Sequence, residues 1–338
     1  MSGPVHSMKI GGQGMSSPYP IVSQSEVAIV PVIDISGLRK TARERSLVVK
    51  EIGNACGRMG FFQVVNHRIG KAVMEGALEA ASAFFELPEQ EKRKYESGNL
   101  REPVRYGTGL KDGEEVTRNR RFFIKHYAHP LEEWITCWPA NPPNYREKMG
   151  EFSTQAREVG LELLEAITES LGLGPTYLTR RMSGSMQVIA VNFYPRPHTP
   201  SPGSTVGLPA HSDYSCLTIV LPNSPGLEIL DPEDSSWKLV PVVEGALQVH
   251  VGDHLEVLSN GIYKSVVHRG IINVDETRIS IASLQSLAME EKMEPAEELI
   301  DEDHPKGYVG SSYMDFLEFL YGNELGQGWS FVDALKIK

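Results

Sequence analysis

Two histidines and an aspartate have residue types and a spacing that could hold a metal ion. His211 and Asp213 belong to the stretch LPAHSDY (208–214), and His268 lies 55 residues beyond Asp213. In an extended backbone the side chains at i and i+2 point the same way, so His211 and Asp213 would face one direction. Two imidazoles and one carboxylate are the composition of the facial triad, which binds Fe(II) and leaves the other coordination positions open.

The number of these ligands distinguishes between kinds of metal site. A structural zinc site normally has four protein ligands, whereas three ligands leave room for a reacting molecule. The trio therefore favours a catalytic centre. An H-x-D tripeptide is weak evidence by itself, because a solvated loop histidine beside a turn aspartate gives the same pattern.

A basic residue in an apolar strand strengthens the metal interpretation. In the run RISIASL, alternation places four side chains on one face: Arg278, Ser280, Ala282 and Leu284. Burying a guanidinium is unfavourable unless an anion compensates its charge. Arg278 and the hydroxyl of Ser280 could together bind a carboxylate, since the guanidinium fork matches two oxygens. The alternative is an arginine at the strand entrance that reaches solvent.

A second apolar strand pattern also ends in polar residues. In MQVIAVNFY (186–194), Asn192 and Tyr194 share a face with Val188 and Ala190. Their position at the end of that face suggests hydrogen bonds to a molecule inside the β structure. The alternative is that Tyr194 satisfies a carbonyl of the core or its rim.

The elements that would position these residues are short strands in the second half of the chain. β-rich runs separated by turn residues occupy 186–194, 216–221, 226–230, 246–251, 262–268 and 278–284. Many short strands at even spacing are typical of an antiparallel sandwich or barrel. Asn260-Gly261 predicts a hairpin between two of these runs, because both residues tolerate positive φ.

The first half of the chain is mixed but mostly helical. Helical spacing covers 41–59, 71–85 and the segment from Phe152 to Ile167, after which Gly172 can cap the helix. Strands are predicted at 27–35 and 61–67, and a last helix at 313–321. We expect four parts: a flexible tail (1–25), a mostly helical region (26–180), a β-rich region (181–300) and a helical segment (301–338).

Composition excludes several classes of protein. The 338 residues are 41% hydrophobic and 23% charged, which is ordinary for a globular protein, and their net charge of -11 disfavours nucleic-acid binding. No apolar run approaches the roughly 18 residues of a membrane span, and no secretory signal is visible. Cys56, Cys137 and Cys216 are too scattered for a disulfide framework. We expect a cytoplasmic protein, a monomer or weak homo-oligomer, without membrane or nucleic-acid partners.

The order and spacing of these motifs resemble the plant-type Fe(II)/2-oxoglutarate-dependent dioxygenases, which include flavanone hydroxylase and flavone synthase-like oxygenases. The matching pieces are VPVIDIS (30–36), GFFQVVNH (60–67), FFELPEQEK (84–92), VNFYPRP (191–197), LPAHSD (208–213), VGDHLEVLSNGIYKSVVHRGIIN (251–273) and RISIASL. The resemblance implies a mainly β fold with flanking helices. Its core would be a double-stranded β-helix (jelly roll), preceded by an N-terminal helical region.

The resemblance also implies cofactors and residue roles. The catalytic Fe(II) ligands would be His211, Asp213 and His268. The residues implied for the cosubstrate 2-oxoglutarate are Arg278 and Ser280 at its distal carboxylate, Tyr194 as a further donor, and Asn192 near the iron-chelating end. O2 would be the second cosubstrate, and ascorbate would serve as a reductant. Residues 181–300 would then be the catalytic core.

Four positions depart from the family pattern. Phe193 and Pro197 replace the first Tyr and the Cys of N-Y-Y-P-x-C, Arg68 replaces the Gly of N-H-G, and His250 stands where V-N-x-G-D often has Asn. His250 and His254 form an H-x3-H pair, which suggests zinc only on a helix. The neighbouring Val249, Val251 and Gly252 favour a strand and a turn instead.

The resemblance implies hydroxylation or desaturation of a small plant metabolite, and we expect a flavonoid of the flavanone type. A hormone, an alkaloid or another phenylpropanoid are the alternatives. Leu284 and the segment RRFFIKHY (120–127) are expected to line the cavity. Candidate substrate-contacting residues are Tyr106, Phe122, Phe123 and Leu284, although each could equally belong to the hydrophobic core. The C-terminal helix around Phe316 could cover the cavity.

Two readings from other classes compete with the oxygenase. A zinc hydrolase could use the same His/Asp/His set, but it would not need the anion clamp of Arg278 and Ser280. A catalytically inactive, ligand-binding version of the fold would be expected to lack an iron ligand, and all three ligand positions are filled here.

Overall fold

The computed structural model describes residues 25–108, 121–197, 206–273, 275–322 and 330–338. Apart from Ser25, the predicted tail (1–25) lies outside these ranges. The described strands are β1 (Val32–Asp34), β2 (Phe61–Val65), β3 (Val104–Thr108), β4 (Phe122–His129), β5 (Met186–Tyr194), β6 (Val206–His211), β7 (Leu217–Pro222), β8 (Leu227–Leu230), β9 (Trp237–Leu239), β10 (Leu247–Val251), β11 (His268–Ile271) and β12 (Arg278–Ser286).

These strands form two sheets. The larger has the order β1-β2-β10-β7-β12-β5-β4-β3, and the smaller has the order β6-β11-β8-β9. The central pairs are antiparallel, and β1 runs parallel to β2 at the edge. Residues of both sheets line one cavity, so the sheets face each other across it. This is the jelly-roll architecture predicted from the sequence.

Helices flank the β structure. The described helices are α1 (Ala42–Met59), α2 (Lys71–Glu86), α3 (Glu89–Lys92), α4 (Leu131–Trp134), α5 (Tyr145–Ser170), α6 (Thr176–Thr179), α7 (Asp253–Leu258), α8 (Tyr313–Gly322) and α9 (Phe331–Ala334). Short 3-10 turns occupy Ile35–Arg39, Arg93–Tyr95, Ile135–Cys137 and Glu297–Leu299.

Local chemistry explains where the first long helix begins and ends. Thr41 and Glu44 form a capping box at the start of α1, in which each side chain bonds the other residue's backbone N–H. Gly60 ends the helix with φ 63°, and a Cβ there would lie 2.2 Å from the carbonyl oxygen of Lys264. Glycine is required at this position both by the backbone conformation and by the close approach.

The outer face of the larger sheet is covered by α5. The predicted apolar stripe of this helix is buried: Phe152, Ala156, Val159, Leu163 and Ile167. At Gly160 a Cβ would lie 1.9 Å from Nε2 of Gln285, which donates a hydrogen bond to the carbonyl of Ala156 at 3.0 Å. The helix therefore lies directly against β12, and the inner face of the sheet is left for the site.

The predicted strand over 262–268 and its hairpin are wrong. Asn260 and Gly261 do adopt positive φ, at 50° and 81°, but they follow helix α7, whose six side chains are all buried. The turn therefore ends a helix, and the next strand begins only at His268. The buried apolar side chains of α7 stabilise a helix where an Asn-Gly pair alone predicts a hairpin.

Candidate active site

The three predicted metal ligands lie together at the inner face of the smaller sheet. His211 ends β6 and pairs directly with His268, the first residue of β11. One ligand atom from each of His211, Asp213 and His268 lies within 4.8 Å of the others. Nε2 of His211 is 3.9 Å from Oδ1 of Asp213, and Nε2 of His268 is 3.8 Å from the same oxygen. Three donors in this arrangement can hold one metal ion.

The tautomer of each histidine leaves Nε2 free to bind a metal. Nδ1 of His211 lies 2.8 Å from the carbonyl oxygen of Pro209, and Nδ1 of His268 lies 3.0 Å from that of Val266. A carbonyl oxygen only accepts, so each Nδ1 carries the proton and each Nε2 offers its lone pair to a metal. Burial lowers the pKa of both imidazoles to about 4, which keeps them neutral near pH 7.

The backbone around Asp213 is fixed by the start of α7. The N–H of Asp253 donates to the carbonyl oxygen of Asp213 at 2.8 Å. A Cβ at Gly252 would lie 1.9 Å from the carbonyl oxygen of Ser215, so only glycine allows this approach. Burial alone would raise the pKa of the Asp213 carboxyl, but the surrounding imidazoles, His268 first, hold it well below its usual range.

A third histidine that was not predicted as a site residue lies beside the carboxylate. Nδ1 of His250, on β10, is 3.3 Å from Oδ2 of Asp213, and the His250 ring centroid is 4.5 Å from that of His268. His250 lies outside the group of three possible ligands that the described residues contain. Its position in a predicted strand, next to Val249 and Val251, was the available signal. The sequence indicated His250 only as a departure from the family pattern and as half of the H-x3-H pair with His254.

The predicted anion clamp contains a buried cation, Arg278, with one unsatisfied donor atom. Arg278 is 2% exposed, and its Nε has no hydrogen-bond partner among the described residues. Its guanidinium carbon lies 5.1 Å from the ring centroid of Tyr194, and Ser280 follows on the same face. Burial lowers the pKa of Arg278. An anion bound there would offset the free-energy cost of burying the guanidinium. A carboxylate fits these donors.

Two glycines make room for this clamp. A Cβ at Gly226 would lie 2.5 Å from Cδ of Arg278, and φ at Gly226 is 143°. A Cβ at Gly270 would lie 2.6 Å from the hydroxyl oxygen of Tyr194. The smaller sheet therefore approaches Arg278 and Tyr194 closely because it presents glycine at both points.

Asn192 is held by Arg121, which belongs to the segment 120–127 expected to line the cavity but has no individual predicted role. Nε and Nη2 of Arg121 donate to its side-chain oxygen at 2.9 and 2.5 Å. Both residues are buried and line the cavity. Arg121 precedes β4 by one residue, more than 70 positions before Asn192 in the sequence, so no local pattern links the two.

The cavity between the sheets has a volume of about 240 Å³. Its apolar wall is formed by Met186, Val188, Leu208, Val220, Leu227, Leu284, Phe316 and Leu320. Phe316 and Leu320 come from α8, and the Phe316 ring stacks on Tyr214 at 4.6 Å. The C-terminal helix therefore forms part of the wall.

The four predicted substrate-contacting residues have different positions. Leu284 lines the cavity. Phe123 shares the cavity face of β4 and lies under Arg121, 5.0 Å from its guanidinium carbon, without lining the cavity. Tyr106 and Phe122 lie on the opposite face, against Phe84 and Phe193 at centroid distances of 6.2 and 6.4 Å. The expected aromatic wall does not include these two rings, because strand alternation directs them toward the helices.

Comparison with known proteins agrees with this geometry. Residues 185–286 match the family model described as 2OG-Fe(II) oxygenase superfamily, and residues 30–145 match the one described as non-haem dioxygenase in morphine synthesis N-terminal. The chain is 49% identical over 308 residues to 2-oxoglutarate-dependent dioxygenase 21, chloroplastic, of Oryza sativa subsp. japonica, covering 91% of each chain. The chain belongs to the 2OG-Fe(II) oxygenase superfamily. It is an oxidoreductase of the dioxygenase type that uses Fe(II) and 2-oxoglutarate.

Two further members of the superfamily place this oxygenase among its relatives. It is 45% identical to flavanone 3-dioxygenase 3 of the same rice subspecies, over 91% of this chain and 93% of that one. A crystal structure of JOX2 in complex with 2OG, Fe and JA matches with a TM-score of 0.81 and 28% identity, covering 93% of this chain and 91% of that chain. Among the described residues of this oxygenase, no helix has the length and hydropathy needed to cross a membrane.

Proposed function

We propose that this oxygenase hydroxylates or desaturates a small plant metabolite in the cavity between its two sheets. The proposed Fe(II) ligands are His211, Asp213 and His268. The proposed contacts of the distal carboxylate of 2-oxoglutarate are Arg278, Ser280 and Tyr194, with Asn192 near the end that chelates iron.

One observation carries this proposal: a possible metal-binding trio borders the same cavity as a buried guanidinium, that of Arg278, whose Nε has no hydrogen-bond partner among the described residues. A zinc hydrolase would need the trio and not the cation. A catalytically inactive version of the fold would not need a complete metal-binding trio or a complete anion clamp. An enzyme that binds a dicarboxylate beside its metal needs both, and this requirement favours the oxygenase over the two alternatives.

Iron loaded with 2-oxoglutarate and O2 supplies the oxidation of an unreactive C–H bond, coupled to decarboxylation of the cosubstrate. The residues of this chain bind and orient. The carbonyls of Pro209 and Val266 hold the two imidazoles with Nε2 free, and Arg278 neutralises a carboxylate away from bulk water. The apolar wall excludes water from the reacting groups and positions the substrate.

We propose a flavonoid of the flavanone type as the substrate, with a hormone, an alkaloid or another phenylpropanoid as the alternatives. The largely apolar wall suits a planar, weakly polar molecule. The relative named flavanone 3-dioxygenase 3 supports the flavonoid. Hydroxylation and desaturation use the same residues, so the product distinguishes them.

A metabolite panel read by mass spectrometry tests this function. We expect a product that has gained one oxygen or lost two hydrogens, together with succinate release above the level without substrate. If flavanones leave succinate release unchanged while a hormone or alkaloid raises it, the flavonoid is the wrong substrate and the oxidation stands. If no panel member raises succinate release and Fe(II) with 2-oxoglutarate is bound, the inactive, ligand-binding reading is favoured.

Residence in the cytoplasm and a monomeric or weakly associated state also remain proposals. The rice relative at 49% identity carries the word chloroplastic in its name, which favours the plastid for that protein. A fluorescent fusion of the full chain in plant cells separates the two locations.

A further inference from the structure

A cluster of three cations lies on the cavity face of the larger sheet, and two of them, Lys125 and Arg105, lie away from Arg278. Lys125 of β4 and Arg121 just before β4 line the cavity. Arg105 of β3 pairs directly with Lys125, and Lys125 pairs with Ala190 of β5, another cavity-lining residue. Residues paired across adjacent strands share a face, so all three cations point toward the same side of the sheet.

The described surroundings of this cluster contain no compensating acid. Arg121 donates to the side chain of Asn192, and Arg105 donates to the carbonyl oxygen of Ser97, both neutral partners. Among the residues that line the cavity, the one acid is Asp213, which we assign to iron. The whole chain carries a net charge of -11, so a local excess of cations does not follow from its composition.

The pKa of Lys125 reflects its burial and the cations around it. Burial, together with the positive charges of Arg105 and Arg121, lowers its pKa to about 7. Burial also lowers the pKa of Arg121. Lys125 keeps partial accessible surface because it borders the cavity. An anion in the cavity would stabilise the charged form of this lysine.

Strand register separates Lys125 from the cosubstrate clamp. Arg278 pairs with Tyr194, whereas Ala190, the partner of Lys125, pairs with Ala282. Along β5, Tyr194 and Ala190 are four residues apart, which is about 13 Å at 3.3 Å per residue. In addition, β4 is two strands away from β12. The five-carbon chain of 2-oxoglutarate is shorter than this separation. Lys125 therefore lies toward the apolar end of the cavity, near Leu284.

We propose that Lys125 binds an acidic oxygen of the substrate, either a carboxylate or a phenol that ionises on binding. The inference rests on the oxidation proposed above and specifies its substrate: an apolar molecule with one acidic group at one end. Arg105 supports the anion from the adjacent strand, and Arg121 orients Asn192.

Matched ligand pairs test this proposal on the full chain loaded anaerobically with Fe(II) and 2-oxoglutarate. One pair is p-coumarate and its methyl ester, which tests the carboxylate. The other is naringenin and its 7-O-methyl ether, which tests the phenol. Isothermal titration calorimetry gives the dissociation constants, and succinate release gives turnover. We expect the acidic member of at least one pair to bind about tenfold or more tightly than its methylated partner.

Three variants assign that preference to Lys125. Lys125→Met should weaken binding of the acidic ligand about tenfold or more and leave the methylated ligand and 2-oxoglutarate unchanged. Lys125→Arg should restore most of the preference. Lys50→Met, which makes the same change on the exposed face of α1, should have no effect on either ligand. Circular dichroism confirms that each variant is folded.

The outcomes separate this proposal from the proposed function. Three outcomes would overturn the role of Lys125. The first is equal binding of both members of each pair, and the second is no binding of either acidic ligand at millimolar concentration. The third is an equal loss of affinity for both members in Lys125→Met. A tenfold weaker affinity for 2-oxoglutarate in Lys125→Met also overturns it, because the lysine would then belong to the cosubstrate site. Lysine-dependent binding of an acid without any succinate release supports the anion site and contradicts the oxidation.

Discussion

His250 and Asp213 lie side by side, with Nδ1 of the histidine 3.3 Å from Oδ2 of the carboxylate. The other carboxylate oxygen, Oδ1, faces the two imidazoles of the metal trio at 3.8 and 3.9 Å. One oxygen of Asp213 is therefore directed at the proposed metal position, while the other lies against His250. An outer residue in such a position fixes the orientation of a ligating carboxylate.

Replacing His250 should weaken the metal site without removing a ligand. In His250→Ala, Oδ2 of Asp213 loses its neighbour and the carboxylate gains freedom to rotate, so Fe(II) affinity should fall about 10- to 100-fold. His250→Asn retains a side-chain donor and should lose less. Anaerobic calorimetric titration with Fe(II) measures both variants. An unchanged Fe(II) affinity in His250→Ala would mean that the neighbouring imidazoles alone hold the carboxylate.

Removing the buried guanidinium should weaken cosubstrate binding strongly and spare the fold. Arg278 is buried without an acidic partner among the described residues, so Arg278→Met should leave the thermal midpoint of the ligand-free protein unchanged or raise it. The affinity for 2-oxoglutarate should fall about 100-fold, because two charge-assisted hydrogen bonds are lost.

Differential scanning fluorimetry with and without 2-oxoglutarate separates these two effects. The variant should show no stabilisation by 2-oxoglutarate at concentrations that stabilise the wild-type protein. Equal stabilisation of the variant and the wild-type protein would place the dicarboxylate elsewhere.

A single methyl group at Gly226 should disturb the clamp indirectly. A Cβ there would lie 2.5 Å from Cδ of Arg278, at a backbone φ of 143° that favours glycine, so Gly226→Ala should displace the guanidinium. We expect weaker binding of 2-oxoglutarate, by about tenfold or more, with Fe(II) affinity retained. Gly98→Ala is the matched control, since a Cβ at Gly98 meets nothing within 4 Å. Parallel loss of Fe(II) and 2-oxoglutarate binding would instead indicate general unfolding of the barrel.

Stability of the metal-free protein should fall as the pH is lowered through the range of histidine titration. Burial lowers the pKa of His126 and of His254 from 6.5 to about 3, so the unfolded chain binds more protons between these values. The free energy of unfolding therefore decreases as the pH falls from about 6.5 toward 3. Asp253 opposes this trend, since burial raises its pKa to about 7 and its folded form holds a proton that the unfolded form releases.

The variant His126→Phe isolates one contribution to this pH dependence. A phenyl ring can keep the packing on Trp138, whose ring lies 4.0 Å from that of His126. Thermal midpoints measured at pH 7.5, 6.0 and 5.0 should decline less steeply for the variant than for the wild-type protein. Equally steep declines of the thermal midpoint in the variant and the wild-type protein would show that His126 does not cause the pH dependence.

Most of the fold could be predicted from the sequence because its periodic patterns are long. The stripe from Phe152 to Ile167 lies on helix α5, and the run over 186–194 is strand β5. The predicted jelly roll is confirmed. The hairpin at Asn260 was wrong because a buried helix precedes that turn. The division of the chain at residues 180 and 300 stays a prediction.

Less of the site could be predicted, because its residues come from strands far apart in the chain. The pair His211 and Asp213 is local, and the structure brings it to His268 and to the same cavity as Arg278. Sequence alternation identifies the two faces of a strand without saying which one faces the cavity, so it could not decide between the cavity and the core for Tyr106 and Phe122. Their neighbours Arg105, Arg121 and Lys125 occupy the cavity face of the same two strands.

The visible spectrum of the protein mixed anaerobically with Fe(II) and 2-oxoglutarate tests the central claim most directly. The wild-type protein should develop the weak charge-transfer absorption of an iron–2-oxo acid chelate, and His211→Ala should not, because one of three metal ligands is gone. A wild-type protein that stays colourless, or a His211→Ala variant that colours as the wild type does, would contradict the assignment of iron to His211, Asp213 and His268.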